Sequence, residues 1–292
     1  MSTADIVDRV QDTAIWVAMA RALESERKNA LFSDPLARQL AGPRGEGIVR
    51  KLSGRASDTW PIVARTYIID AQVNEAVNGG LDAVLNLAAG LDSRPYRLPL
   101  PKSLTWLEVD HADLIDAKNE TLKNVSPNCQ VERIALDLSL TTARRALFES
   151  LRARFSRTLV ITEGLLYYLP QDIALALARD LLMLQPRLWI TDLHNAAVAA
   201  YVAKRSGNAL QGTATMQFAT DQGPNIFEPL GWKPLTTTSV LKTAGRLKRL
   251  PFPLSLLARL PEKPYGVASR PWTGVSVLEP ARDDTEAHTI AL

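Results

Sequence analysis

Between residues 83 and 191, five strand-like runs alternate with amphipathic helical stretches, and few folds accommodate that rhythm. The runs are Ala83 to Leu87, Ser103 to Val109, Gln130 to Leu136, Thr158 to Thr162 and Arg187 to Thr191. Helices are expected at 112–124, 141–155 and 170–184. In the last of these, Ile173, Leu177, Leu181 and Leu184 recur on one face and Pro186 lies just beyond the end. This alternation predicts an α/β fold, with a mostly parallel sheet covered by helices on both faces.

The flanks differ. Nothing in the first 80 residues reads as a strand. An amphipathic helix is expected at 11–30, with Ile15, Met19, Ala22 and Leu23 at helical spacing. A second is expected after Asp34, a cap, and Pro35, its first residue. A glycine-rich stretch at 42–58 reads as loop with some helix, and a third helix runs from Pro61 to Val77, closed by Asn78-Gly79-Gly80. Beyond residue 193 an Ala-rich helix gives way to irregular chain as far as 225. A helix end at Leu230-Gly231 precedes a Thr-rich strand from Lys233 to Val240, and Trp272 to Leu278 is the last strand. No crossover helix is evident between those two, so they are expected as an antiparallel pair at one sheet edge. The domain organisation is therefore a helical cap at 1–80, then a sheet domain at 81–292 with a cap insertion at about 193–225. The polar tail after Pro280 is expected to fray.

Composition excludes several classes. Hydrophobic residues at 46% and charged residues at 22% are ordinary for a globular chain. The single cysteine, Cys129, excludes an internal disulfide and a cysteine-rich metal site. The three histidines, His111, His194 and His288, are too scattered for a metal centre. Met1-Ser2-Thr3-Ala4-Asp5 does not open a signal peptide, and no run approaches a membrane span, so a cytoplasmic location without a membrane partner is expected. A net charge of +3 leans toward an anionic small-molecule partner and is too weak to argue for nucleic acid.

The chemistry gathers at the ends of the strands. Val84-Leu85-Asn86-Leu87 runs into Ala88-Ala89-Gly90-Leu91-Asp92-Ser93, a tight turn after the first strand. Asp110 follows the second strand, Asp137 the third and Glu163 the fourth, all on the carboxyl edge that carries Gly90. An acid after the second strand can accept from both hydroxyls of a ribose. An acid after the third can accept from an adenine amino group, while the N–H of Leu138 serves a ring nitrogen. An adenosine is bracketed without a phosphate site. The plainer alternative for each acid is that it caps the following helix. A dinucleotide fits less well. The turn has one glycine of the three in G-x-G-x-x-G, Asp92 would oppose a pyrophosphate, and Pro95 restricts Arg94.

The segment Val84 to Leu98, read as VLNLAAGLDSRPYRL, resembles the signature of the leucine carboxyl methyltransferase-like family of S-adenosyl-L-methionine-dependent enzymes. The likeness extends through Leu31 to Ala37, Val63-Ala64-Arg65-Thr66, Leu107 to Asp110, Ala135 to Leu138 and Thr162 to Pro170, so it covers about residues 10 to 192. The resemblance implies a Rossmann-like class I methyltransferase sheet and S-adenosyl-L-methionine as cofactor. It implies that Arg65 pairs with the cofactor carboxylate, Gly90 lines its amino-acid part and Asp110 holds the ribose. Asp137 and Leu138 would hold the adenine, Glu163 would close the site, and Arg21 is the match for a basic residue that reaches the cofactor from the N-terminal segment. Ala88 stands where many relatives carry glycine, which narrows the turn's options.

On the acceptor side the candidates are Tyr167 and Tyr168 after the fourth strand and His194 after the fifth. Either tyrosine could bond an acceptor oxygen or simply pack the cap. His194 could serve as a base for a hydroxyl acceptor, or the Asp192 to Asn195 stretch could merely cap a strand end. Arg94 and Arg97 could draw in an anion or pin a loop to acids. The basic run Lys242, Arg246, Lys248 and Arg249 reads as a solvated helix face. No G-x-S-x-G supports a serine hydrolase. A carboxylate acceptor is already ionised and needs no base, so the leading expectation is methyl esterification of a small-molecule carboxylate. The alternatives are a peptide or protein C-terminal carboxylate, or an adenosine-binding homologue without turnover.

Overall fold

The computed structural model describes residues 10–53, 59–206, 215–261 and 270–281. Four helices precede the sheet: α1 (Val10–Ser25), α2 (Ala37–Ala41), α3 (Gly45–Ser53) and α4 (Trp60–Asn78). Alternation then begins with β1 (Ala83–Leu87), α5 (Arg94–Arg97), β2 (Thr105–Asp110), α6 (Ala112–Leu122), β3 (Gln130–Ala135) and α7 (Thr141–Arg154). It continues through β4 (Thr158–Thr162), α8 (Gln171–Leu181), β5 (Leu188–His194) and α9 (Ala196–Ser206). The C-terminal part holds β6 (Trp232–Ser239), α10 (Val240–Arg246), α11 (Leu254–Leu257) and β7 (Thr273–Pro280).

The seven strands lie in the order β3-β2-β1-β4-β5-β7-β6. Pairs from β3 to β5 are parallel, while β7 runs antiparallel to both β5 and β6. The antiparallel edge pair is thus present. A helix does intervene between its strands: α10, capped by the Ser239 hydroxyl. Strand residues alternate between two cores. Leu85 and Leu87 face Phe148, Leu177 and Leu181 of α7 and α8. Val84 faces Ile69 and Val73 of α4, with Ala244 of α10 on the same side. Burial on both faces explains the largely apolar reading of β1 and β4, each buried at all five positions.

Two elements differ from expectation for non-local reasons. The fifth strand extends to His194, because Asp192, Leu193 and His194 pair with Val275, Gly274 and Thr273 of β7. First-helix geometry stops at Ser25, short of residue 30. There Glu24 Oε1 accepts from the N–H of Leu31, and the Ser25 hydroxyl accepts from that of Asp34. Asp34 does not cap α2 with its side chain. It accepts from Arg21 Nε at 2.8 Å and from the Ser93 hydroxyl at 2.6 Å. The basic run is solvated only in part: Arg246 and Lys248 are exposed, whereas the other two are engaged. Arg249 is buried and holds Glu24 of α1 through Nε and Nη2, and the Lys242 ammonium donates to the carbonyls of Ala258 and Leu260.

The order of strands reverses between β1 and β4, whose chains leave toward opposite edges. A crevice opens there at the carboxyl ends, where open α/β sheets take their ligands.

Candidate active site

The crevice is a cavity of about 1050 Å³. It gathers Arg21 of α1, Arg65 of α4, Gly90 after β1, Asp110 at the end of β2, Asp137 and Leu138 after β3, and Glu163 after β4. Tyr167, Tyr168 and His194 line it as well. Every candidate cofactor-side and acceptor-side residue of the sequence therefore reaches one space.

The turn after β1 is held by its neighbour strand. Ala88 and Gly90 both take left-handed φ values, +52° and +53°. Glycine adopts this freely, whereas alanine is strained there. A Cβ on Gly90 would also meet the Ala14 Cβ of α1 at 3.3 Å. Gly90 N–H donates to Asp110 Oδ2 at 2.7 Å and His111 N–H to Oδ1 at 2.8 Å. These two amides are the donors that meet a buried carboxylate, and burial raises its pKa above the ordinary aspartate value. Asp137, nearer solvent, accepts from the Ser139 N–H at 2.9 Å, and its hydrogen bonds to Ser139 lower its pKa.

Beneath the turn, charges form a continuous chain from α1 to β5. Arg21 pairs with Asp34, which lies 3.7 Å from Arg97. Arg97 and Arg94 share Asp70. Arg94 also holds Asp92 at 2.9 Å and Glu163 at 2.8 Å, and Arg65 holds Glu163 at 2.9 Å and Asp192 at 2.7 Å. Burial opposes the charge on Asp92 and Glu163, but the neighbouring cations together, Arg94 foremost with Arg21 at Asp92 and Arg65 at Glu163, outweigh it and both pKa values fall. Arg94 and Arg97 thus pin the loop to acids. The chain holds four guanidiniums and five carboxylates, leaving one negative charge.

Sequence reasoning missed the centrality of three residues here. Asn86 donates to Asp92 Oδ2 at 2.8 Å from inside β1. Asp192 binds Arg65, the N–H of Gly164 and the Tyr167 hydroxyl. Asp70 anchors two arginines from the middle of α4. An acid amid an apolar helix was the one available signal for Asp70; the others show only in three dimensions. On the acceptor side the Tyr167 and His194 rings lie 4.3 Å apart. Burial pushes the Tyr167 hydroxyl well above its ordinary pKa and pushes His194 down to about 4. Tyr168 hydrogen-bonds Thr13 of α1.

The fold resembles the crystal structure of a DUF574 family protein from Streptomyces avermitilis, with a TM-score of 0.53 over 90% of this chain and 96% of that one, at 12% identity. A mostly parallel seven-stranded sheet with an antiparallel β7, opening a cavity at its switch point, is the sheet of the class I methyltransferase fold. The model of the leucine carboxyl methyltransferase family matches residues 14–181. Two relatives carry the name "Putative S-adenosyl-L-methionine-dependent methyltransferase". One, from Streptomyces avermitilis, is 35% identical over 60% of this chain and 67% of its own length. The other, from Frankia alni, is 30% identical over 78% of this chain and 84% of its own. The chain belongs to the leucine carboxyl methyltransferase family, and is a methyltransferase dependent on S-adenosyl-L-methionine.

The residues present fit that cofactor. Its sulfonium, ammonium and carboxylate sum to one positive charge, the complement of the excess carboxylate in the buried chain. Asp110, desolvated and served by two amides, has lone pairs for the two hydroxyls of a ribose. Arg65 meets Glu163 through Nε and Asp192 through Nη1, and its five-donor fork can take a further carboxylate.

Proposed function

We propose that the chain forms a methyl ester on a carboxylate of a small-molecule acceptor. In this reading Arg65 holds the cofactor carboxylate, with Arg21 as the second cation. Gly90 lines the amino-acid part, Asp110 holds the ribose, Asp137 and Leu138 the adenine, and Glu163 closes the site. Bound there, S-adenosyl-L-methionine supplies a methyl group on a sulfonium, which a carboxylate oxygen can take as sulfur keeps the bonding pair, opposite charges cancelling and no proton moving. The helices before β1 and the chain at 193–206 and 215–225 act as a cap that excludes water from this step; residues 207–214 of the expected insertion lie outside the described residues.

The observation that carries the carboxylate is His194. It is the histidine on the acceptor side of the cavity, and with its pKa down at about 4 it is a poor base for a phenol or alcohol at neutral pH. Tyr167 and Tyr168 are held neutral by burial. A carboxylate needs no proton removed.

The test is methyl transfer from labelled cofactor to a panel of carboxylates, phenols, alcohols and peptide C-termini. Label is expected in a base-labile ester on a non-peptide carboxylate. Label appearing only in base-stable ethers removes the carboxylate reading.

A further inference from the structure

The buried residues of α7 are Arg144, Phe148 and Leu151, spaced along one helical face. The first is a cation in a core position. Its partner Asp180 takes a core position of α8, beside Leu177 and Leu181. Arg144 is 1% exposed and Asp180 2%. Arg144 donates to Asp180 Oδ2 through Nε and Nη2, and Arg145 donates to Oδ1 at 2.8 Å, so both carboxylate oxygens are occupied.

Packing of the two helices does not call for these charges. Apolar residues of similar volume commonly serve as well as a buried ion pair. What the pair adds is the remaining arm of the guanidinium. Arg144 Nη1 donates to the carbonyl of Leu138 at 2.6 Å.

That carbonyl belongs to the peptide group joining Leu138 to Ser139. The other pole of the same group, the Ser139 N–H, donates to Asp137 Oδ1 at 2.9 Å. One rigid planar unit is therefore gripped at both ends. Asp180 aligns Arg144, Arg144 fixes the peptide, and the peptide fixes the Asp137 carboxylate. A hydrogen bond at the carbonyl also polarises the opposite N–H and strengthens its bond to the acid. Leu140, the residue before α7, contributes no side-chain cap to this turn. Asp137, Leu138 and Ser139 line the cavity, whereas Arg144 and Asp180 stand behind them.

We propose that Arg144 and Asp180 are positioning residues for base recognition, a role that rests on the adenine placement above and deepens it. They hold the turn at 137–139 in the form in which the Asp137 carboxylate accepts from the adenine amino group. They thereby set the preference for adenine over a base that lacks this donor. Neither touches the cofactor; both act through the Leu138–Ser139 peptide.

The test is calorimetry on the full chain with S-adenosylhomocysteine and S-inosylhomocysteine, whose base carries an oxygen in place of the amino group. The unsubstituted protein is expected to bind the adenosine form about tenfold or more tightly than the inosine form. The double variant Arg144→Met/Asp180→Leu removes both buried charges together, so its urea midpoint should stay near that of the unsubstituted protein. Its affinity for S-adenosylhomocysteine should fall about tenfold and that for S-inosylhomocysteine less than about twofold, so the preference collapses. Asp180→Asn keeps the guanidinium but loosens its alignment, and should give an intermediate preference; it decides the matter if the double variant does not fold. A role in packing alone predicts equal losses for the two ligands. Equal losses, or an unchanged preference in a folded variant, overturn the proposal. Asp137→Ala tests the adenine placement separately. If it abolishes a preference that the Arg144 variant retains, only the positioning role falls. If it leaves the preference intact, the adenine placement falls as well.

Discussion

The backbone N–H of Gly90 donates to Asp110 Oδ2 at 2.7 Å, tying the turn after one strand to the last residue of its parallel neighbour. The same carboxylate that is proposed to hold a ribose therefore also shapes the glycine turn beside it. Position and recognition are linked through one side chain.

Asp110→Ala removes both roles. Hydrogen bonds to a charged group are worth about 1.5–3 kcal/mol each. Calorimetry with S-adenosylhomocysteine should show affinity down by roughly tenfold to several hundredfold, with Asp110→Asn keeping part of it. Unchanged affinity in the alanine variant would refute the ribose assignment.

Ala88 is strained where a glycine would not be, with φ at +52° inside a buried turn. Ala88→Gly should stabilise the fold by about 0.5–1 kcal/mol, the relief of left-handed strain less the added freedom of the unfolded chain. The check is the urea midpoint. A lower midpoint would mean that the Ala88 methyl, which packs against the apolar core, outweighs the strain.

Arg94 is 2% exposed and pairs with Asp70, Asp92 and Glu163. Removing one partner of a buried ion pair leaves an uncompensated charge, at about 3–5 kcal/mol. Arg94→Leu should lower stability by that order in denaturant titration. A loss below about 1 kcal/mol would show that water reaches these acids.

Acid should destabilise the chain in a window set by His194. Burial lowers its pKa from an ordinary 6.5 to about 4. Between those values the unfolded chain binds the proton and the folded chain does not, so stability falls as pH falls from about 6.5 toward 4, by at most about 3 kcal/mol. Asp92 and Glu163, whose folded values lie below the ordinary 3.8 and 4.5, lose their contribution only in more acid solution. His194→Gln should flatten the profile between pH 6.5 and 4.5. An unchanged slope there would place the titration elsewhere.

The short buried strands are legible in the amino-acid sequence. β1 and β4 match the sequence reading residue for residue, because a strand buried on both faces is mostly apolar, its few polar side chains being hydrogen-bonded or at its ends, and is bounded by turns. Helix α4 is equally plain, from its apolar face and its Asn78-Gly79-Gly80 end. The acids at the strand ends and Gly90 follow from that frame, since parallel strands deliver their carboxyl ends to one edge. The family signature lies in the same stretch.

What the chain alone left open depends on partners distant in sequence. β5 is longer than its local pattern because β7, some eighty residues on, supplies the hydrogen bonds for Asp192 to His194. Arg249 looks solvated in a basic run, yet Glu24, 225 residues away, holds it buried. Asp70, Asp92, Asp192 and the arginines between them become one charge chain only when α4, the β1 turn and β5 meet. The sequence by itself determined the alternating sheet, its carboxyl edge and the residue types gathered there, because local periodicity and turn chemistry encode them. Tertiary structure alone decided which charges neutralise one another and which buried atom, His194 Nε2, stays without a partner, because those depend on contacts between elements that no local pattern records.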